Sequence, residues 1–186
     1  MKKRFIILFA ILAILLHSCS VFVGTKTLYK ARNIEEISKW GYVNLENDHT
    51  LSEIYPRVHA VFTSTILETF AKHSLEAPTE IFANLSFENP NLAKIISICE
   101  ENNLDGLLLS KLKFLNVTYY INFMPVFENI DTEVEMKLIN KYGKVIAITR
   151  HNTLKGSDYM LPPTTERTIS DATERALKKT IKIVKK

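Results

Sequence analysis

The residues of this 186-residue chain that could do chemistry are its histidines, cysteines and carboxylates, and their spacing matches none of the common catalytic or metal-binding motifs. Past the N-terminal segment the histidines are His49, His59, His73 and His151, and no two of them have the i, i+4 spacing of a helical zinc site. The sequence contains no nucleophile elbow, phosphate-binding loop or glycine-rich dinucleotide turn. It therefore predicts a protein that is not an enzyme and that holds no cofactor or metal.

One group of carboxylates lies close together in the sequence. Asp131, Glu133 and Glu135, followed by Lys137, alternate with mainly apolar residues over 130–138. Alternation with a period of two predicts a strand with one face in the core and one solvated face. The alternative is a site of paired carboxylates or a bound cation.

The first cysteine follows a short targeting segment. Three basic residues at positions 2–4 precede an apolar run over 5–16, which as a helix would span roughly 18 Å, well short of the ~30 Å hydrocarbon core. Such a segment is typical of a secretory signal peptide. Its end, Leu16-His17-Ser18-Cys19, resembles the lipobox of bacterial lipoproteins, in which the cysteine becomes the first residue and carries the lipid.

The lipobox resemblance implies a lipoprotein signal peptide over residues 1–18 and lipid attachment at Cys19, which places the protein in the cell envelope. Ser20 follows the cysteine where an Asp would signal inner-membrane retention, so the resemblance implies the outer membrane, on the side that faces the periplasm. The alternatives are ordinary secretion and an uncleaved anchor.

The second cysteine and the charge balance argue against two other classes of function. Cys99 shares one face of a predicted helix with Leu92, Ile95 and Ile96, which favours a buried, inert side chain over a catalytic or redox thiol. The chain carries a net charge of +4, but residues 1–18 hold three basic residues and no acid, so the remainder has 21 basic and 20 acidic residues. Composition therefore gives no support to nucleic-acid binding.

The remaining pattern predicts one α/β (α+β) domain over residues 39–186, preceded by a tether over 19–38. The expected order is β-α-β-α-β-β-β-α, a mixed sheet of about five strands with two or three packing helices. The predicted strands are 40–46, 79–87, 107–115 (with a possible extension to Tyr120), 130–138 and 144–153. Three helices are predicted. The first begins at a capping box at Thr50–Glu53 and ends near Ser74, the second spans 90–102, and the third begins at Thr164 or Thr165 and continues to the C terminus. Because a helix separates 79–87 from 107–115, these two strands are expected to be parallel.

The segment 117–127 joins two predicted strands but is apolar where a polar turn would be expected. Its aromatic residues and methionine indicate a partner-binding or membrane-facing tip. The alternative is a strand that continues into the core, with Phe123 and Phe127 under a helix. The candidate binding residues are Tyr119, Tyr120, Phe123, Met124 and Phe127.

The order of elements, the tether after Cys19 and the phrase Asn103-Leu104-Asp105-Gly106-Leu107-Leu108-Leu109 resemble a group of envelope proteins. The group includes the curli-secretion lipoproteins, the lipoprotein activators of penicillin-binding proteins and the amino-terminal domain of the Tol-system translocation protein. The resemblance covers roughly residues 40–184. In size, anchoring and its late hairpin and helix the chain also resembles the lipopolysaccharide-assembly lipoprotein.

Both resemblances imply a lipid-anchored module that binds an envelope protein or a copy of itself and catalyses nothing. The alternative function is a carrier or binder of a small apolar ligand or lipid in envelope biogenesis.

Overall fold

The computed structural model describes residues 24–45, 49–121, 124–153 and 163–185. Within them the chain forms one six-stranded mixed sheet and four helices, which confirms the predicted α/β class with one strand more than expected. The strands are β1 (Gly24–Lys30), β2 (Trp40–Val43), β3 (Thr79–Ile81), β4 (Gly106–Ile121), β5 (Met124–Asn140) and β6 (Val145–Asn152). The helices are α1 (His49–Ile54), α2 (Val58–Lys72), α3 (Leu92–Glu101) and α4 (Thr165–Val184).

The strands lie in the order β1-β6-β5-β4-β2-β3. β2 is parallel to both β3 and β4, and the other neighbouring strands are antiparallel. The strands predicted at 79–87 and 107–115 therefore run in the same direction, but β2 lies between them. The first of them ends at Ile81, because its apolar residues Leu85 and Phe87 are buried under α3 without joining the ladder.

The sheet is covered on both faces. α2 and α4 pack against one face, where their apolar stripes meet Leu108, Met136 and Leu138 in the larger core cluster. α3 belongs to the smaller cluster on the other face, with Leu107 and Leu109 of β4. Cys99 of α3 is buried in that cluster, as predicted, and burial raises the pKa of its thiol. Two layers of helices around one sheet are the expected architecture for a domain of this size.

The single helix predicted from Thr50 to about Ser74 is wrong at one point, because Pro56 divides it. α1 ends at Ile54 and α2 begins at Val58. Proline disfavours the helical conformation in the residue before it and lacks the N–H that a helix interior requires. The side chain of Thr50 in the predicted capping box lies outside the described residues.

The predicted stop after α3 is confirmed. Asn103 has a φ of 53°, the left-handed conformation that ends many helices, and the N–H of Leu104 donates to the carbonyl of Cys99 at 2.8 Å. The next residue, Asp105, then accepts hydrogen bonds from the backbone N–H groups of Ser38 and Lys39. Burial acts to raise the pKa of the Asp105 carboxyl, but the hydrogen bonds from Lys39, from the Lys141 ammonium and from Ser38 outweigh it and hold the pKa below its usual value. Asp105 therefore fixes the chain before β2 to the start of β4.

Residues 24–30, which are predicted to lie in the tether, form β1 and pair with β6 from Gly24 opposite Asn152 to Lys30 opposite Ala147. Most of the residues in β1 are exposed, so the strand is held mainly by backbone pairing. An edge strand of this kind leaves little alternation of apolar residues in the sequence, which is why the pattern did not indicate it.

Candidate functional site

The most unusual feature of the sheet is the length of β4 and β5, which have 16 and 17 residues. β2 pairs with β4 only over residues 106–108, and β6 pairs with β5 only over 133–139. Beyond those limits β4 and β5 pair with each other, from Leu115 opposite Asp131 to Ile121 opposite Met124. We call this two-stranded extension (residues 115–121 and 124–131) the arm. At about 3.3 Å per residue the arm is about 25 Å long.

The arm has two parts with different backbones. In the shaft, residues 115–118 and 128–131, the register is regular. In the tip, residues 119–121 and 124–127, the register shifts between Tyr119 and Tyr120, so that Tyr119 lies opposite Phe127 and Tyr120 lies opposite Pro125. A bulge and a proline both interrupt the pattern of ladder hydrogen bonds. The tip is therefore less suited than the shaft to pairing with another strand.

Four of the five candidate binding residues have their backbone in the tip: Tyr119, Tyr120, Met124 and Phe127. Phe123 lies outside the described residues, and so do the side chains of the other four. The described backbone of this segment is strand up to Ile121 and again from Met124, and it runs past the end of β6. The four described residues lie on the two paired strands of one hairpin, and their role in binding stays a prediction.

The base of the arm is held by a group of buried polar side chains. The N–H of Thr132 donates to the hydroxyl of Thr153 at 2.9 Å, and that hydroxyl donates to the Asp131 carboxylate at 3.1 Å. On α4 the hydroxyl of Thr168 forms a 2.9 Å hydrogen bond with that of Thr132. These contacts tie the arm to the end of β6 and to the first turn of α4, so that its root is fixed in direction.

The predicted solvated face of β5 is wrong at both of its ends. Asp131 is only 1% exposed, because Thr153 covers it. Lys137 is also buried, since the segment before α3 folds back over β5 and the ammonium donates to the carbonyl of Phe87 and lies 4.5 Å from the centre of its ring. Burial, which disfavours the charged form, lowers the pKa of Lys137.

Glu133 and Glu135, between those two ends, have side-chain exposures of only 13% and 12%, so the middle of this face is largely covered as well. Both face Arg150 of β6, whose guanidinium lies 2.5 Å from a Glu135 oxygen and 3.8 Å from a Glu133 oxygen. The guanidinium therefore occupies the position that a cation would take between the two carboxylates. This arrangement explains the paired acids as an ion-pair network rather than a metal site. Among the described residues no group of three or more His, Cys, Asp or Glu side chains is placed to hold a metal ion.

A second polar group joins β1, β6 and α4 beside the root of the arm. His151 shares a 2.8 Å hydrogen bond with Thr25, and its other ring nitrogen lies 3.8 Å from a carboxylate oxygen of Asp171. Arg175 donates to the second oxygen of Asp171 at 2.6 Å. The contact with His151 and the hydrogen bond from Arg175 lower the pKa of Asp171 to about 2, against the opposing effect of burial.

The depressed pKa of Asp171 predicts a pH dependence of stability. Because the folded-state pKa lies below the unfolded value, the stabilisation is complete above about pH 4 and is lost as the pH falls towards 2. Changing Asp171 to Asn should lower the free energy of unfolding at pH 6 by about 1–2 kcal/mol, after a discount for its partial exposure. Urea unfolding at pH 6 and pH 2.5 measures this, and the difference between the two chains should narrow clearly at the lower pH. Glu166→Gln, which removes an exposed partner of Arg57, is the control and should have little effect. A difference that persists unchanged at pH 2.5 would show that Asp171 acts through packing.

The fold is similar to that of PelC. The structure of a PelC dodecamer from Paraburkholderia phytofirmans has a TM-score of 0.50 with this chain at 11% sequence identity, covering 82% of this chain and 93% of the PelC chain. A variant of the same protein gives 0.48 at 11% identity, with coverage of 82% and 94%. Lipoprotein GNA1162 from Neisseria meningitidis gives 0.28 at 12% identity, with coverage of 64% and 88%. No family model and no curated protein matches the sequence. At these identities the PelC likeness shows the fold alone.

One group of side chains that the sequence did not indicate lies at the carboxyl ends of β2 and β3. His59 donates to Asn44 at 3.1 Å and lies 3.5 Å from the hydroxyl of Ser52. Phe82, 82% exposed, stands with Asn44 and His59 in the wall of an open cleft of about 530 Å³.

Ser52, His59 and Asn44 stand in the order of a nucleophile, a base and an orienting amide. However, the Ser52 contact is at the outer limit of a hydrogen bond, and Ser52 is not among the residues that line the cleft. We interpret these contacts as structural: His59 holds the chain that follows β2 against the start of α2 through its hydrogen bond with Asn44. The sequence contains no local pattern for this group, because His59 lies on α2 and Asn44 follows β2, and only the fold brings them together.

Proposed function

We propose that the protein is a lipid-anchored module of the bacterial cell envelope that catalyses no reaction and assembles with further copies of itself through the arm. The observation that carries the proposal is the shaft, whose two strands pair with each other but, among the described residues, with no third strand. The lipid on Cys19 would fix the module to the outer membrane on its periplasmic side, as the lipobox resemblance implies.

Strand edges are the physical reason for assigning assembly to the shaft. Each edge presents a row of backbone N–H and C=O groups that can pair with another chain. An isolated two-stranded ribbon is also marginally stable in water, so a third strand would stabilise the arm. The β4 edge of one copy and the β5 edge of the next differ, and such head-to-tail contacts close into rings when the rotation allows it.

The PelC structure supports this choice of partner in one respect. It is described as a dodecamer, so a chain of this fold can build an assembly of many copies. An assembly whose subunits share a rotation axis would also place every lipid anchor on the same side, as attachment to one bilayer requires.

The carrier function receives less support. Three clefts on the described surface have volumes of about 420 to 530 Å³, and all three are open to solvent. The cleft between α2 and α4 is lined mainly by polar side chains, including Glu68, Arg167 and Glu174. Sites for apolar ligands are usually enclosed and lined by hydrophobic residues.

Cross-linking of the chain in intact membranes tests the proposal. The test variant replaces residues 115–131 by an Asn-Gly turn between Phe114 and Thr132, which face each other across the two strands. The unaltered chain should give a ladder of multiples of the chain mass, and the shortened chain should give a monomer while remaining in the membrane. Tyr142→Ser, an exposed site at the opposite end of the sheet, is the matched control and should keep the ladder. A ladder that survives shortening of the arm would contradict the proposal.

A further inference from the structure

The tether and the arm leave the sheet at the same end. Gly24, the first residue of β1, lies opposite Asn152, the last residue of β6, and Asn152 in turn lies opposite Glu133 of β5. The shaft begins two residues beyond Glu133, at Asp131. The chain that leads back to Cys19 therefore starts at the level of the sheet from which the arm extends. The turn between β5 and β6 lies at the other end.

The lengths of the two segments decide how far each can reach. Cys19 is five residues before Gly24, so even a fully extended chain places it no more than about 18 Å away. The arm extends for about 25 Å from the same level. A bilayer that holds the lipid of Cys19 therefore lies within the reach of the tip.

The composition of the tip suits such a surface. No residue in 114–127 carries a charge, and the charges resume at Lys113 on one strand and Glu128 on the other. The tip contains the aromatic residues Tyr119, Tyr120 and Phe127, and aromatic residues are enriched where a protein meets the headgroup region of a membrane. The segment therefore offers no charged side chain for an ion pair with a partner.

We propose that the tip of the arm docks on the interfacial region of the bilayer to which Cys19 is anchored, so that the ligand of this surface is the lipid itself. The proposal rests on the lipid anchoring in the proposed function. The two attachments cooperate, because the lipid holds the tip at a high effective concentration next to the bilayer. Together they fix the orientation of the domain, with the shaft edges between the sheet and the membrane and the turn after β5 pointing away from it.

A tryptophan placed in the tip tests the proposal. Phe127→Trp in the full lipidated chain, reconstituted into phosphatidylethanolamine and phosphatidylglycerol vesicles, should show blue-shifted emission that is quenched when the lipids carry bromine on their acyl chains. Phe82→Trp, an exposed phenylalanine at the carboxyl end of β3, is the matched control and should not be quenched. The native Trp40 is buried and contributes the same background to both.

Three outcomes are distinguishable. Quenching of Phe127→Trp alone supports docking. Equal and negligible quenching of both variants, with the chain still bound to vesicles, overturns docking while leaving the lipid anchor intact. A blue shift without quenching also overturns it, because the ring is then buried against protein.

The chain with Cys19→Ala separates this inference from the proposed function. This chain carries no lipid, so any binding to vesicles must come from the tip. If docking is correct, it should still float weakly with vesicles, and the added change Phe127→Ser should reduce its vesicle affinity by about tenfold. Phe82→Ser should leave that affinity unchanged. If flotation is the same for both serine variants, the tip does not bind lipid.

Discussion

A chain in which Cys19 is changed to alanine is expected to leave the membrane almost completely. Several acyl chains on one cysteine hold a protein firmly, because each buried methylene contributes about 0.8 kcal/mol. In the part of the chain that the structure describes, no helix is both long and apolar enough to cross a bilayer. The aromatic tip alone would supply only weak, reversible attachment. Fractionation of the cell envelope, together with labelling by a palmitate analogue, measures the loss.

The second cysteine provides the control for that experiment. Cys99 is buried among Ile95, Leu107 and Leu109, so Cys99→Ala should keep both the label and the membrane location. Its cost should be a modest loss of stability from the smaller side chain. A Cys19→Ala chain that remains in the membrane fraction after an alkaline wash would contradict lipid anchoring at this residue.

Changing Gly106 to valine is expected to destabilise the whole domain. Gly106 starts β4 where that strand meets β2, and a Cβ atom there would lie 3.0 Å from a methyl of Ile37 and 3.1 Å from the carbonyl oxygen of Ile139. The carbonyl belongs to the neighbouring strand and cannot move without disturbing the ladder. Overpacking at such a site costs about 1–3 kcal/mol or more, which corresponds to a fall in Tm of about 5–10 °C.

Thermal unfolding followed by circular dichroism checks this expectation. Gly106→Ala should have a smaller effect, because the extra methyl groups of valine add to the contact with Ile37. Thr27→Val, which places valine on the exposed strand β1, is the control and should leave Tm nearly unchanged. A Gly106→Val chain with the Tm of the parent would show that the junction of β2 and β4 is looser than described.

The elements that the sequence indicated well are those with local signals. The alternation over 130–138, the capping side chain of Thr164 and the Asn103 stop after α3 each determine structure within a few residues. β1 and the division of the first predicted helix at Pro56 were missed for a common reason. β1 is held by backbone pairing although its hydrophobic pattern is weak. At Pro56 the backbone geometry of proline ends the helix although the hydrophobic pattern continues.

The candidate site also combines a feature with a local signal in the sequence and features set by contacts between distant residues. The sequence indicated the aromatic segment, because its composition is unusual for a connection between strands. It could not indicate the arm, whose existence depends on where β2 and β6 stop pairing with β4 and β5. Nor could it indicate the burial of Asp131 and Lys137, since Thr153 and Phe87 reach them from distant parts of the chain.

We propose that the arm joins copies of this chain, and the mass of the purified mature protein in mild detergent tests this assembly most directly. Light scattering should give a defined multiple of the chain mass for the unaltered protein and a single chain for the variant that lacks residues 115–131, with unchanged circular dichroism in the rest of the domain. A monomeric unaltered protein, or an assembly of unchanged copy number without the arm, would contradict assembly through the arm.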